Sequence, residues 1–274
     1  FSSAESTIES NKPVLVAGTD NWDFEDVDFG NPFDTNEINL KYGEGSNGEQ
    51  SRIVGNIVSG FGGVIDIAPN STTKSNDHAL NVIGNVLAGN GGKINLSLGD
   101  AAYFEGRTDD YQDAEWNHDI IASEFVNRIQ ASGTVNLRLG HGSTWKVTGQ
   151  SWLSSLEANN STINLTQNNT SIHLGSIKGK NNTFVVNLSM DGSGNMIYVK
   201  DGTAESQSIF INNRDEVLNS MKTGDRVRFA TIANAGGGFN EAISTTVATF
   251  GKTVSIHDAG IKKVSAVQNK FWYI

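Results

Sequence analysis

The residues of this sequence that could do chemistry together are two adjacent carboxylates, a histidine flanked by glycines and a lysine. They occur in Asp109-Asp110, Gly140-His141-Gly142 and Ser176-Ile177-Lys178. A pair of carboxylates beside a glycosidic bond can protonate the leaving group and activate water, which is the chemistry of polysaccharide hydrolysis. The carboxylate pair, however, falls in a predicted loop rather than on a strand.

These three pieces resemble, in the same order, motifs of pectin-degrading glycosidases. The resemblance is incomplete. The Asn-Thr-Asp element is missing, Gly18-Thr19-Asp20 being the nearest stretch, and Ser176 stands where those enzymes have arginine. We therefore predict no catalytic residue and keep a polysaccharide hydrolase of this type as the alternative interpretation.

No cofactor or metal site is predicted. The five histidines are scattered, without the spacing of metal ligands. Asp23, Asp26 and Asp28 could be considered for calcium, but the central Gly and closing Glu of an EF-hand are absent. No Gly-Asp-Ser-Gly nucleophile stretch occurs, so a protease domain, if the protein has one, would lie upstream of residue 1.

The composition excludes several further functions. The 274 residues carry a net charge of −10 and no basic cluster, which argues against nucleic acid as a partner. Without cysteine there is no disulfide, thiolate zinc site or cysteine nucleophile. Only 18% of residues are charged and 30 are glycine, a composition that predicts strands and turns rather than long helices.

A three-residue pattern returns along the first two thirds of the chain, always with Asn or Asp between two apolar residues. The copies are Ile38-Asn39-Leu40, Ile65-Asp66-Ile67, Ile94-Asn95-Leu96, Val135-Asn136-Leu137, Ile163-Asn164-Leu165 and Val186-Asn187-Leu188. Their centres are 27, 29, 41, 28 and 23 positions apart, by subtraction of the residue numbers. Such spacing is typical of stacked repeats. Turn-forming residues precede the copies, so each repeat is predicted to begin as a turn followed by a strand.

Three short strands per repeat and no helical periodicity predict a parallel β-helix, an all-β fold. Equivalent positions of successive coils lie about 4.8 Å apart, so their side-chain amides can share hydrogen bonds. We predict such a ladder through Asn39, Asp66, Asn95, Asn136, Asn164 and Asn187. The alternative is an antiparallel sandwich, in which these positions would be unrelated.

Two segments interrupt the repeat and are predicted to be loop insertions, near 20–37 and at 105–118. Both are acidic and aromatic. Exposed aromatic side chains beside carboxylates could form a contact surface for a partner or glycan, while the alternative is that they pin their own loops to the coil. The predicted contact residues are Trp22, Phe24, Asp109, Asp110, Tyr111 and Trp116.

The C-terminal third has a different pattern. After about residue 190 the triplet stops, longer alternating segments favour hairpin-like pairing, and 214–221 could form a short helix. The end of a solenoid exposes unpaired backbone and apolar core, so it needs a cap. We predict that 190–274 is this β-rich cap.

A family resemblance accompanies this change. The run 142–165, with Trp145, Thr148-Gly149 and Trp152-Leu153, resembles a conserved stretch of bacterial autotransporter passenger domains of the pertactin and AIDA type. The stretches 182–191 and 269–274 are similar to two further motifs of that family. The sequence departs at 195–199, where the family's charged residues are absent.

The resemblance implies a right-handed β-helix with two parts: coils in 1–141, and autochaperone-like coils and cap in 142–274. It implies a folding nucleus in the second part, for which Trp145, Trp152, Leu156, Phe184 and Trp272 are the expected residues. It also implies display at, or release from, the surface of a Gram-negative bacterium after export through the protein's own outer-membrane barrel.

The function implied is a non-enzymatic stalk of an adhesin or self-associating virulence factor. The partners implied are a host-cell surface or extracellular matrix component, or another copy of the passenger. A fragment of a secreted toxin acting on host cells is a further alternative that the sequence leaves open.

Overall fold

The structure is a computed structural model. It describes residues 7–9, 14–18, 37–43, 51–69, 79–111, 131–201, 207–222, 225, 227–233, 239–241, 262–265 and 269–273. These residues are almost entirely in strands and turns, with one short helix. In this part of the chain no helix is long and apolar enough to cross a membrane.

The strands follow one another at short intervals. In chain order they are β1 (Thr7–Glu9), β2 (Leu15–Ala17), β3 (Glu37–Tyr42), β4 (Ser51–Val54), β5 (Ile57–Ser59), β6 (Val64–Pro69), β7 (Leu80–Ile83), β8 (Val86–Ala88), β9 (Lys93–Leu98), β10 (Tyr103–Gly106), β11 (Thr108–Asp109), β12 (Thr134–Leu139), β13 (Thr144–Val147), β14 (Ser151–Ala158), β15 (Thr162–Asn164), β16 (Ser171–Lys178), β17 (Thr183–Val186), β18 (Met196–Asp201), β19 (Gln207–Ile211), β20 (Arg228–Ala233), β21 (Phe239–Glu241), β22 (Lys262–Ser265) and β23 (Asn269–Tyr273), and the helix α1 (Arg214–Ser220) follows β19.

The strands form three sheets in which neighbours come from successive coils. Sheet A has the order β1-β4-β7-β10-β13-β15-β17-β19-β21, sheet B has β11-β8-β5-β2, and sheet C has β22-β23-β20-β18-β16-β14-β12-β9-β6-β3. Apart from the pairs that involve β23, the strand pairs are parallel. The chain is therefore a parallel β-helix, as the repeat predicts.

The coils change shape along the axis. The coils from β4 to β12 place one strand in each sheet, whereas β14 and β16 are single strands of eight residues in sheet C. The amide of Thr108 in β11 lies 3.4 Å from Ser151 Oγ, so β14 continues the path of sheet B as well. Register partners in sheet C show the change in coil length. Ile38 and Ile65 are 27 residues apart, and Ile65 and Ile94 are 29 apart. Leu137 and Leu156 are only 19 residues apart, and Leu156 and Ile177 are 21 apart.

Apolar columns fill the interior of the coils. One column in sheet A stacks fully buried side chains from six successive coils: Val82, Phe104, Trp145, Ile163, Phe184 and Ile209. The Phe104 and Trp145 rings are parallel-stacked with centroids 5.4 Å apart. Burial of such side chains contributes about 1.5–3 kcal/mol each, so the columns are the main source of stability.

Glycine is required where sheets B and C meet. A Cβ added to Gly63, Gly92 or Gly133 would lie 2.3–2.4 Å from backbone atoms of Ala17, Ser59 or Ala88 in the preceding coil. No side chain fits at that distance, so the glycines that precede the triplets are fixed by close backbone approach rather than by turn propensity alone.

The C-terminal third departs from the predicted hairpin pattern in part. β18, β19 and β20 still stack in parallel on the coils before them, and among the described strands the antiparallel pairs are β20–β23 and β22–β23. The predicted helix is confirmed as α1. Its first turn carries Asp215 and Glu216, which complement the helix dipole, and Val217 buries its apolar side.

Candidate functional site

The predicted ladder of hydrogen-bonded side chains is confirmed for Asp66, Asn95 and Asn136, three of its six positions. Asn39, Asp66, Asn95 and Asn136 are register partners in sheet C. Asn95 donates from Nδ2 to Asp66 Oδ1, and Asn136 donates from Nδ2 to Asn95 Oδ1 at 2.9 Å. Ser155 continues the column because its Oγ donates to Asn136 Oδ1 at 2.6 Å. Asn39 is in register but donates to Glu37 Oε1 instead.

The prediction is wrong for Asn164 and Asn187, which lie outside this column. Asn164 belongs to β15 of sheet A, where it pairs with Lys146 and Val185 in register. Asn187 follows β17 of sheet A, and its Oδ1 accepts from Asn212 Nδ2 at 2.9 Å. The reason is the shortening of the coils after β12, which moves the triplet from sheet C to sheet A.

The predicted nucleus residues lie in two different environments. Trp145, Leu156 and Phe184 are fully buried inside the coils. Trp152 is 8% exposed and stacks on His173, which stacks in turn on Tyr198, with centroid distances of 4.9 and 4.4 Å. Trp272 is in β23, and its side chain lies outside the described residues. The kinetic role of these residues stays a prediction.

The predicted contact residues Asp109, Asp110 and Tyr111 are buried, with at most 2% of each residue exposed. Their assignment to an exposed loop is therefore wrong. Asp109 is in β11, its Oδ1 accepts from the Tyr111 amide at 2.8 Å, and Asp110 Oδ2 accepts from Ser154 Oγ at 2.7 Å. Burial raises the pKa of the Tyr111 phenol. Backbone and hydroxyl donors inside the coil satisfy these carboxylates, which is why charge alone misplaces them.

The remainder of the predicted contact surface lies outside the described residues. This applies to Trp22, Phe24 and Trp116 and to residues 20–36 and 112–118 of the two segments. Residues 105–111 are described, and they belong to the coil as the end of β10, β11 and the turn that follows. An insertion in this coil therefore begins after Tyr111.

The three pieces that suggest hydrolysis are not brought together. Asp110 follows β11 of sheet B and is buried. His141 is an exposed turn residue between β12 of sheet C and β13 of sheet A, and Lys178 is the exposed last residue of β16. These positions are on different parts of the coil circumference. Within the described residues, no group of three His, Asp or Glu side chains could hold a metal ion.

A buried polar column at the corner between sheets C and A was not predicted. It consists of Ser143, Ser161, Asn182 and Gln207, each at most 3% exposed. Ser143 and Ser161 donate to the carbonyls of Gly99 and Gly140, Asn182 Nδ2 donates to Gln207 Oε1, and Gln207 Nε2 donates to Gly179 O. The signal in the sequence is Ser, Asn or Gln directly before Thr or Ser where four of the sheet A strands, β13, β15, β17 and β19, begin.

A charged network covers the outside of sheet A. Lys146 Nζ lies 2.6 Å from Glu105 Oε1, and the Tyr103 hydroxyl donates to Glu105 Oε2 at 2.7 Å. Hydrogen bonds from Lys146 and then from Tyr103 hold the pKa of Glu105 below its ordinary value. Burial and the bond to Glu105 raise the pKa of Tyr103 to about 12.

A groove of about 450 Å³ runs along the outside of four successive coils. Each coil contributes the turn or the strand start that follows its sheet A strand. The lining residues are Arg107, Thr148, Gly149, Gln150, Asn168, Asn169, Thr170, Ser171, Ser193, Gly194, Met196 and Tyr198. None of these described lining residues is a carboxylate.

Comparison of the chain with protein-family models, with curated proteins and with solved structures finds no match in any of the three. The geometry itself therefore carries the functional argument. The described residues form a stacked apolar interior, columns of hydrogen-bonded polar side chains and a polar groove on the outside.

Proposed function

We propose that the chain is a non-enzymatic passenger segment of a bacterial autotransporter, a rigid stalk displayed on or released from the cell surface. The observation that carries the proposal is the unbroken register of sheet C from β3 to β20, in which each strand pairs with one from the next coil. Such a stack behaves as a rod because each coil contacts only its neighbours. The sequence resemblance in 142–274 supports the same class.

We further propose that the coils of 142–211 fold first and template the rest. In a stacked fold each formed coil offers a complete edge of backbone donors and acceptors to the next, so a stable segment can seed its neighbours. This region contains the buried polar column of Ser143, Ser161, Asn182 and Gln207 and the aromatic core residues Trp145 and Phe184. Beyond it, the antiparallel β23 and β22 cover the β20 edge of sheet C.

The surface assignment is tested on intact cells that express the gene in full. Protease added outside the cells should remove epitopes of this chain, whereas a periplasmic marker protein stays intact. Protection of the chain in intact cells, with digestion only after the outer membrane is opened, would contradict the assignment. The partners in this proposal are a host surface, a matrix component or a second copy, and the same cells can be tested for adhesion and autoaggregation.

The folding order is tested separately on the purified chain. Refolding from denaturant is interrupted by pulses of hydrogen exchange, and amides of β13–β19 are expected to gain protection before those of β3–β9. Protection that arises first in β3–β9, or at one rate throughout, would refute the order without affecting the surface assignment.

A further inference from the structure

The polar groove is extended along the axis of the coils. Its lining comes from one stretch in each of four coils: Arg107, 148–150, 168–171 and 193–198. Because successive coils are about 4.8 Å apart, four of them span roughly 15 Å. A surface of this shape suits a linear ligand that lies parallel to the axis.

Arg107 places a cation at one end of this groove. Its side chain crosses Gly149 so closely that a Cβ there would lie 2.5 Å from Arg107 Cδ. The residue is half-buried, and in the described part of the chain its guanidinium makes neither a hydrogen bond nor an ion pair. An arginine stays protonated at all ordinary pH values and matches carboxylate or sulfate groups with two parallel hydrogen bonds.

The middle of the groove presents hydrogen-bonding groups on a fixed floor. Gln150, Asn168 and Asn169 are exposed amides, which can both donate to and accept from hydroxyl groups. Beneath them, Asn195 Nδ2 donates to the Thr170 carbonyl at 3.1 Å. Thr170 is 2% exposed, and its Oγ1 has no hydrogen-bond partner in the structure.

The other end of the groove is aromatic. Tyr198 lines it, and its ring is stacked on His173 with an interplanar angle of 17°. His173 stacks on Trp152 at an angle of 18°, so the three rings form one rigid column. Ordered aromatic rings present C–H and π surface against which the apolar face of a sugar can pack without loss of side-chain entropy.

We propose that this groove binds a linear acidic saccharide. Arg107 pairs with a carboxylate or sulfate, the amides of the middle section bind sugar hydroxyls, and Tyr198 contacts a ring face. Nucleic acid does not fit, because Arg107 is the one cation among the described lining residues and the chain has a net charge of −10. The proposal concerns binding only, since the described lining residues include no carboxylate, and it does not depend on how the chain reaches its location.

The test is calorimetric titration of the full chain with three defined probes. They are an oligogalacturonate, which carries carboxylates, a heparin-derived oligosaccharide, which carries sulfates, and a neutral malto-oligosaccharide. At least one acidic probe should bind, with affinity that falls as salt is added, while the neutral probe should not. Which acidic probe binds more tightly identifies the anionic group that Arg107 prefers.

Variants connect that binding to the groove. Arg107→Gln should weaken it at least about ten-fold, the effect of losing a charge-assisted hydrogen bond. Arg138→Gln, an exposed arginine on β12 outside the groove, is the matched control and should bind as the parent does. Asn168→Asp places a like charge beside the ligand at an exposed turn, so it should also weaken binding without disturbing the core.

Three results would overturn the proposal: no binding of either acidic probe, equal binding of the neutral probe, or unchanged affinity in both groove variants. Circular dichroism and the urea midpoint establish that each variant is folded. If Arg107→Gln alone is unfolded, Asn168→Asp still decides the question.

Discussion

Asn136 donates a hydrogen bond to Asn95 at 2.9 Å, although 41 residues separate them in the chain. The strands that carry them, β9 and β12, are paired over six residues without a shift of register. The longest repeat interval in the sequence therefore ends in a strand that has the same register with its neighbour as the strands of the shorter repeats. A coil of this fold accepts a long insertion at a corner because only the strands need to match their neighbours.

Asn136→Ala should destabilise the chain by about 1–2 kcal/mol. The substitution removes the bond to Asn95 and the bond from Ser155 Oγ, each worth about 1 kcal/mol net. The measurement is the free energy of unfolding from urea titration. Arg138→Ala on the same strand is the control, since its exposed pair with Glu157 should contribute less than about 1 kcal/mol. Equal losses in the two variants would mean that the ladder is no more stabilising than a surface contact.

The second prediction concerns the insertion itself. Replacing 112–130 with a short Gly/Ser linker should leave the fold intact, because the Gly133 amide donates to the Asp110 carbonyl at 2.8 Å and the two ends are therefore adjacent. Deleting 105–118 should instead prevent folding of this coil, since it removes β11 and the buried Asp109, Asp110 and Tyr111. Far-UV circular dichroism and the urea midpoint distinguish the two deletions. A stable 105–118 deletion would show that β11 is dispensable.

The repeat predicts the fold and three of the six ladder positions for one physical reason. Asn95 and Asn136 stack because a glycine stands two positions before each triplet, and a Cβ at Gly92 or Gly133 would lie 2.3–2.4 Å from backbone atoms of the preceding coil. The triplet by itself does not specify a sheet. Asn164 shares the triplet but follows Ser161. The Ser161 hydroxyl donates to the Gly140 carbonyl at the turn that leads into sheet A.

The residues that sequence reasoning misplaced have partners that are distant in the chain. Asp110 looks exposed by its charge, yet its donor, Ser154, is 44 residues away. The groove was missed for a related reason. Arg107, Asn168 and Tyr198 are unremarkable singly, and they become neighbours only when the coils are stacked in the observed register.

The third prediction is a pH dependence of stability through Glu105. Its pKa is lowered in the folded state, first by the bond from Lys146 and then by that from Tyr103. The folded state therefore favours the carboxylate, and the resulting stability is present above the ordinary Glu pKa of about 4.3 and lost as the pH falls through the lowered folded pKa. Glu105→Gln should be less stable than the parent at pH 7, and the difference should shrink in acid.

Urea titrations at pH 7, 5 and 3 measure this difference. Glu157→Gln is the control, because Glu157 pairs with Arg138 at the exposed surface and should change stability little at any of the three values. The phenol of Tyr103 gives a pH dependence of stability with the opposite sign, since its pKa in the folded state is raised to about 12. Its contribution to stability is present below pH 10 and lost between pH 10 and 12. An absorbance titration of the parent, compared with Tyr103→Phe, measures the raised pKa itself. A Glu105→Gln difference that grows in acid would contradict the assigned network.

The last prediction separates the contribution of Trp145 to the stability of the folded chain from its role in the folding rate. Trp145 is fully buried, stacks on Phe104 at 5.4 Å, and donates from Nε1 to the Gly106 carbonyl at 3.1 Å. Trp145→Ala should cost about 3–5 kcal/mol, as for other large aromatic truncations in cores. Trp145→Phe retains part of the stack but leaves the Gly106 carbonyl unpaired, at a cost of about 1–3 kcal/mol. Thr144→Ala, at the half-buried start of the same strand, should change stability by no more than about 0.5 kcal/mol.

Stopped-flow kinetics then test whether the coils around Trp145 form before those near the N-terminal end. If they do, Trp145→Phe slows refolding by most of its equilibrium effect, because its contacts are already made in the transition state. Ile65→Val, at a buried position of β6, should act mainly by accelerating unfolding. The opposite assignment, with Ile65→Val slowing refolding and Trp145→Phe accelerating unfolding, would place the nucleus in the early coils. Growth of the stack toward higher residue numbers would then replace growth toward lower ones.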